Sequence, residues 1–233
     1  MENVRYLASL WRFWVALAIV GAITWVFHVT APRQHNPWRE IHLNDPIGFA
    51  TYRKFTHLKH NHEACFRALD AVGVQYTRLE DEVTGEKCGF WGALTLDQTL
   101  TPYSSTVRLT CQMAAALYVW ERQAVRPLAV EMLGSRATRI ETYGAYSCRN
   151  IAGTRRRSEH ATANAIDISG VRLADGRLVH VEDHWGTSTP EGDYLKQLHK
   201  TGCRIFSVTL GPDYNTAHAD HFHLDFGSTE TCR

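Results

Sequence analysis

The sequence has no surplus of either charge. Its 233 residues carry 25 Lys and Arg against 24 Asp and Glu, a formal net charge of +1 with neutral histidines. That balance excludes a nucleic-acid grip built on bulk charge. Low-complexity tracts and internal repeats are missing as well, so neither a disordered tail nor a repeat array is expected. With 44% hydrophobic and 21% charged residues, the composition is that of a folded protein of one domain or at most two. Cysteine is absent from the N-terminal part: Cys65, Cys88, Cys111, Cys148, Cys203 and Cys232 all lie beyond it. An even set suits an oxidising compartment such as the bacterial periplasm.

A further absence is local. From Phe13 to Pro32 there is no Asp, Glu, Lys or Arg. At about 1.5 Å per helical residue this run spans a bilayer core of roughly 30 Å. Trp11, Trp14 and Trp25 lie toward its ends, where aromatic side chains suit the headgroup level, and Arg5 and Arg12 precede it. A cleaved signal peptide is the alternative. Its nearest cleavage site, Val29-Thr30-Ala31, is followed by Pro32, a poor scissile position. The expectation is a cytoplasmic segment 1–12 and an uncleaved inner-membrane anchor over 13–31. Arg33 and Arg39 balance Arg5 and Arg12, so the flanking charge leaves orientation open, and the cysteines favour a periplasmic C-terminal domain. The polar stretch 32–45, with Pro32, Pro37 and the following Pro46, reads as a tether. The domain itself is expected over 46–233.

Within that domain, Cys65, Phe66, Leu69 and Val72 recur at helical spacing over Asn61–Val72, and Met113, Leu117 and Trp120 share one face of a helix over Leu109–Gln123. A third helix is expected over Pro190–Lys200, capped by Thr189 and ending before Gly202. The C-terminal half changes to a period of two. Ala165–Leu173 and Arg177–Val181 flank Asp175-Gly176, a dipeptide suited to a tight hairpin turn. Arg204–Leu210 and His221–Phe226 read as further strands. Helices mostly first and strands mostly later predict an α+β fold, with a small antiparallel sheet covered by helices after one N-terminal transmembrane helix.

Strand alternation indicates which side chains share a pocket. In His221–Phe226 the apolar Phe222, Leu224 and Phe226 take one face, and His221, His223 and Asp225 the other. In Ala165–Ser169 the isoleucines point to the core and Asp167 points away. If the two strands are neighbours, their polar faces coincide. A loop carrying Ser158-Glu159-His160 could return His160 over the sheet. Two imidazoles and one carboxylate form a common ligand set for catalytic zinc.

Ser158-Glu159-His160 through Asp167, followed by His218-Ala219-Asp220-His221-Phe222-His223, resembles the signature of zinc peptidases that cut bacterial wall peptides. That group contains lysostaphin-type, D-Ala-D-Ala and murein endopeptidase members. A closer resemblance is to the extensin-like C-terminal domain family of bacterial envelope proteins. It rests on the Cys65 helix, Thr110-Cys111-Gln112-Met113-Ala114, Tyr146-Ser147-Cys148-Arg149-Asn150, Asn164-Ala165-Ile166-Asp167, Leu210-Gly211-Pro212-Asp213-Tyr214-Asn215 and Cys232. The resemblance implies a zinc ion held by His160, Asp167 and His223. It implies His221 as the general base, with Asp220 as the other candidate. His218 would orient the nucleophile or stabilise an oxyanion. Arg149 and Ser158 would face the substrate, although an arginine beside a cysteine also suits a purely structural surface role. The implied activity is zinc-dependent cleavage of peptidoglycan stem peptides, as an endopeptidase on crosslinks or as a D,D- or L,D-carboxypeptidase. A noncatalytic wall-binding module attached to an envelope-spanning assembly is the competing class. One departure stands out: the wider group carries Gly three residues after its first histidine, where this chain has Ala163.

Other groups invite less. His57, His60 and His62 straddle a helix start and read as solvated, as does Arg155-Arg156-Arg157. Asp183, His184 and Trp185 rim a groove or end the hairpin. Asp225 is a candidate acceptor for a ligand imidazole. The cysteines are expected to pair as neighbours, Cys65 with Cys88, Cys111 with Cys148 and Cys203 with Cys232, one of the several pairings six cysteines allow.

Overall fold

The computed structural model describes residues 2–233, with side chains from Leu10 onward. Helix α1 (Glu2–Thr30) opens the chain. Its stretch Leu10–Thr30 is long and apolar enough to cross a bilayer, a test that a signal sequence near an N-terminus also passes.

Residues 32–45 are not the free tether expected from their polarity and prolines. After a single 3-10 turn (Arg33–His35) they wrap the domain as a collar. Leu43 is buried, and Ile41 and Ile47 pack against the main core. Polar groups complete the seam. The buried Lys54 of α2 (Thr51–Leu58) donates to the carbonyls of Arg33 at 2.6 Å and Glu40 at 3.4 Å. Gln123 accepts from the Ile47 N–H and donates to the Asp45 carbonyl, and Tyr118 donates to Asn44. Burial lowers the Lys54 pKa, which is the cost of drawing an ammonium out of water to fasten this seam.

The core is organised around α4 (Cys111–Trp120), which is buried at all ten positions. An amphipathic helix beginning at Leu109 was expected. Instead Leu109 ends a strand and Thr110 caps the helix, its hydroxyl accepting from the Met113 N–H. Three consecutive alanines let neighbours approach from every side, which suits a helix enclosed all round. Around it lie α2, α3 (His62–Asp70, capped by Asn61) and a later helix, α7 (Pro190–Gly202), while beyond a π turn at Glu121–Val125 the chain continues as α5 (Arg126–Leu133). The π turn has a local cause: Pro127 has no N–H to donate to Gln123, so the ladder widens there.

The first half is not mainly helical as expected. It contains a three-stranded antiparallel sheet in the order β1 (Gln75–Arg78), β4 (Ala93–Gln98), β5 (Val107–Thr110), and a separate hairpin of β2 (Glu82–Gly85) and β3 (Cys88–Phe90). These strands are short and half exposed, so their alternation is weak in the sequence. The larger sheet runs β11 (Thr231–Cys232), β9 (Val208–Leu210), β10 (Phe222–Asp225), β7 (Ala165–Leu173), β6 (Ala137–Gly144), with β8 (Leu178–His180) also paired to β7. All its pairs are antiparallel except β11 with β9. The Asp175-Gly176 turn joins β7 to β8 as expected, with Gly176 at φ +92°. The short α6 (Val181–His184) follows. Helix α7 (Pro190–Gly202) begins at its Thr189 cap but continues through Gly202 instead of stopping before it. A Cβ at Gly202 would lie 3.2 Å from Thr209 and 3.5 Å from Leu224, so the glycine serves close packing onto the sheet.

All six cysteines are paired, but two of the three expected bridges are wrong. Cys65 joins Cys111, Cys88 joins Cys148, and Cys203 joins Cys232. Packing of α3 on α4 brings the first pair together, and the β2–β3 hairpin carries Cys88 to the segment before Arg149. Neighbour order along the chain does not encode either proximity.

Glu121, at the start of the π turn, is fully buried. It accepts from the Thr99 hydroxyl, the Thr101 N–H and the Tyr103 hydroxyl at 2.7–2.9 Å, pinning the 99–103 loop to the central helix. Burial pushes its pKa up to about 7, against these hydrogen bonds, which favour the carboxylate. The native state therefore holds a proton that the unfolded chain gives up near its ordinary, lower pKa. This contribution to stability is present at acid pH and is lost as pH rises through about 7. Denaturant melts from pH 5 to 8 should show stability declining by as much as roughly 3 kcal/mol from this group. Glu121→Gln should remove that part of the slope; an unchanged slope would refute the assignment.

Candidate active site

The site is built on one cross-strand pair. Strands β7 and β10 run antiparallel with His223 opposite Asp167, Phe222 opposite Ile168 and Leu224 opposite Ile166. The apolar partners sink into the core, so His223 and Asp167 emerge side by side on the other face. His160 arrives from a 3-10 turn (Glu159–Thr162) capped by Ser158. The three ligand atoms converge: His160 Nε2 lies 3.1 Å from His223 Nδ1 and 3.2 Å from the Asp167 carboxylate, and His223 Nδ1 lies 2.9 Å from Asp167 Oδ1.

Outer contacts define the imidazole tautomers. His160 Nδ1 donates to the Ala145 carbonyl, and His223 Nε2 donates to Asp225 Oδ2 at 2.8 Å. Asp225 is itself held by the Gly227 N–H. Two nitrogen lone pairs and a carboxylate therefore face one another, a donor set that calls for a cation at its centre. Tetrahedral zinc with bonds of about 2.0–2.1 Å sets ligand edges of about 3.3 Å, close to those found. Without a metal the cation is a proton. Burial alone would lower the His223 pKa, but the hydrogen bonds to Asp167 and Asp225 push it up to about 9. Burial would raise Asp167, yet His160 and His223 hold its carboxyl far below the usual carboxylate range.

Beside this centre stands a second constellation. His221 Nε2 lies 3.5 Å from Asp167 Oδ1, while its Nδ1 lies 2.7 Å from Asp220 Oδ1. The His221 hydrogen bond holds the Asp220 carboxyl below its ordinary pKa, so Nδ1–H donates to Asp220 and Nε2 is turned toward the site. The ring of His218 lies tilted against that of His221 and edge-on to that of His223, with centroids 5.2 and 5.8 Å apart. Burial, then the neighbouring histidines, pushes its pKa down to about 4. Asn215 Oδ1 already accepts the Ala217 N–H, so it also accepts from His218 Nδ1–H. That leaves Nε2 without a proton, suited to orienting a donor and unsuited to stabilising an oxyanion.

Arg149 reaches the same face, its guanidinium 3.8 Å from Asp167 and half exposed. Ser158 has a different place from the substrate-facing one expected. It is buried as the cap of the His160 turn, with its hydroxyl toward the His160 N–H and its own N–H bonded to the Arg149 carbonyl. There it positions a site residue.

Two aromatic residues had no role in the sequence reading. Tyr143 stands edge-on to His221 with its hydroxyl beside Asp220, and Tyr214 stands edge-on to His218. Both are exposed and flank the site. Tyr214 and Asn215 lie in a segment the family resemblance had marked; Tyr143, on an unforeseen strand, carried no signal.

Ala163 ends the His160 turn in a left-handed conformation, φ +55° and ψ +23°. That conformation costs a non-glycine residue roughly 1–2 kcal/mol. The methyl group packs with Phe90 and Ala93 in a small buried cluster, an offset of similar size, about 0.8 kcal/mol per buried carbon. Ala163→Gly should therefore leave stability within about 1 kcal/mol of the parent in denaturant melts.

Residues 63–233 match the family of the extensin-like protein C-terminus, a span that runs from α3 to the chain end and includes every residue of the site. No curated protein and no solved structure matches the chain. With most of its length covered by that match, the chain belongs to the extensin-like protein C-terminus family.

Proposed function

We propose that this domain is a zinc-dependent peptidase acting on the stem peptides of peptidoglycan, anchored by α1 in the bacterial inner membrane with its domain in the periplasm. The observation that carries the reading is the convergence of His160 Nε2, His223 Nδ1 and the Asp167 carboxylate beside an Asp220-oriented His221. A purely structural metal site would have no need of the second pair. Three paired cysteine bridges support an oxidising compartment.

His160 Nε2, His223 Nδ1 and an Asp167 oxygen would hold zinc, with Asp225 and the Ala145 carbonyl fixing the two imidazoles. Bound there, zinc would supply Lewis acidity toward a peptide carbonyl and lower the pKa of water. His221 Nε2 accepts the proton of the attacking water and passes it to the leaving amine, while Asp220 holds the ring in the required tautomer. Neutral His218 accepts a hydrogen bond from the water or from a peptide N–H. Arg149 offers two N–H groups to a carbonyl or carboxylate on the substrate. Tyr143 and Tyr214 give the cleft apolar walls. We favour endopeptidase action on crosslinks; the Arg149 guanidinium also fits a terminal carboxylate, which would make the enzyme a carboxypeptidase. Mass spectrometry of purified muropeptides incubated with the protein, with and without chelator, tests the activity and identifies the bond cut. Chelator-independent or absent cleavage would refute the proposal.

The purified protein should hold about one zinc per chain, and His160→Ala, Asp167→Ala or His223→Ala should each lose most of it by elemental analysis. Because His223 must surrender a proton, zinc affinity should rise with pH up to about 9, with proton release visible by calorimetry in buffers of different ionisation heat.

His221→Ala should retain zinc and lose cleavage by roughly 10²–10⁴-fold. Asp220→Asn should fall between this variant and the parent. Full loss in Asp220→Ala with activity kept in His221→Ala would reverse the two roles.

A further inference from the structure

We infer that the collar is a membrane-docking face, which seats the domain on the headgroup layer of the bilayer that α1 crosses. The inference rests on the reading of α1 as an uncleaved span. It begins from two exposed aromatic side chains that the core does not use: Phe49 is 88% exposed and Trp38 is 61% exposed. Trp38 belongs to the collar, and Phe49 to the turn that follows it before α2, folded back against the collar. Trp38 packs on Phe27 and His28 in the last turns of α1, with ring centroids 6.2 and 6.1 Å apart. Phe49 is held beside the 3-10 turn by bonds from its own N–H to His35 and from the Ala50 N–H to the Gln34 carbonyl.

This placement is rigid. Asn36 is fully buried and donates to the His28 carbonyl, tying the collar back to the end of the helix. Lys54 and Gln123 tie its other side to the domain. An apolar helix ending at Thr30 brings its last turns to the acyl–headgroup boundary, and side chains packed on those turns lie at the same depth. Tryptophan and phenylalanine are the residues that favour that depth. Exposed Arg33, Arg39 and Arg204 stand around the collar against Glu40 and the half-buried Asp45, a small positive balance suited to anionic lipid. The collar also precedes the residues that match the family, so docking is a property of this chain's own N-terminal part.

The test uses the full chain reconstituted into vesicles of phosphatidylethanolamine and phosphatidylglycerol, with a benzophenone amino acid at one position at a time. Position 19 in the span reports insertion, positions 38 and 49 report docking, and the exposed Val83 and Val130 serve as controls on the domain surface. On illumination, lipid adducts at 19, 38 and 49 should exceed those at 83 and 130 several-fold. Labelling at 19 with 38 and 49 no higher than the controls would overturn docking while the span stands. Absence of labelling at 19 would overturn the span reading and the inference with it. Adducts from 49 to a second copy of the chain would replace docking by self-association.

Discussion

Everything at the site depends on the register between β7 and β10. Side chains alternate across a strand with period two, so a slip of one residue would turn His223 and Asp167 into the core and expose Leu224 and Ile166. The apolar residues Phe222, Leu224, Ile166 and Ile168 prevent that slip, since each is almost wholly buried. The core thus positions polar chemistry it never touches. Two of the three converging groups inherit their precision from a sheet, and sheets hold geometry better than loops. His160 is the exception. It depends on a cap, a backbone carbonyl and a left-handed residue, and its turn is where substitutions should most readily misplace a ligand atom.

Local signals in the sequence were reliable where one stretch of chain decides its own structure. The cap at Thr189, the Asp175-Gly176 hairpin and the alternation of β7 and β10 all appear as read. The polar face shared by His223, Asp167 and Asp225 was visible for the same reason. What remained hidden is decided by partners distant in sequence. The strands β1, β4 and β5 are short and partly exposed, and only their mutual pairing makes them strands. The disulfide pairing follows from helix and hairpin packing. That the Asp220 carboxylate would lie against His221, and not among the three converging groups, could not be read from their adjacency in the chain. Asn215 and Tyr143 act through neighbours that no spacing rule connects to them.

The polar 32–45 segment carries a more general lesson. Its prolines and charges suggested a free linker, yet the buried Lys54 near its start, the buried Leu43 within it and Gln123 at its far end fold it down. Composition reports whether a segment can form a core by itself. It does not report whether a neighbouring domain already offers one to pack against.

The Cys88–Cys148 bridge has a consequence for how the protein matures. The sheet carrying His223 and Asp167 contains no cysteine within β7 or β10, so those groups come together on folding alone. Arg149 sits one residue after Cys148, on a segment whose covalent tie to the rest of the domain is that bridge. A newly made chain with reduced thiols would have its His223–Asp167 pair set by strand register alone, while Arg149 and the Ala145 carbonyl that holds His160 were kept in place by hydrogen bonds only. Full definition of the site would then wait for oxidation of this one bridge.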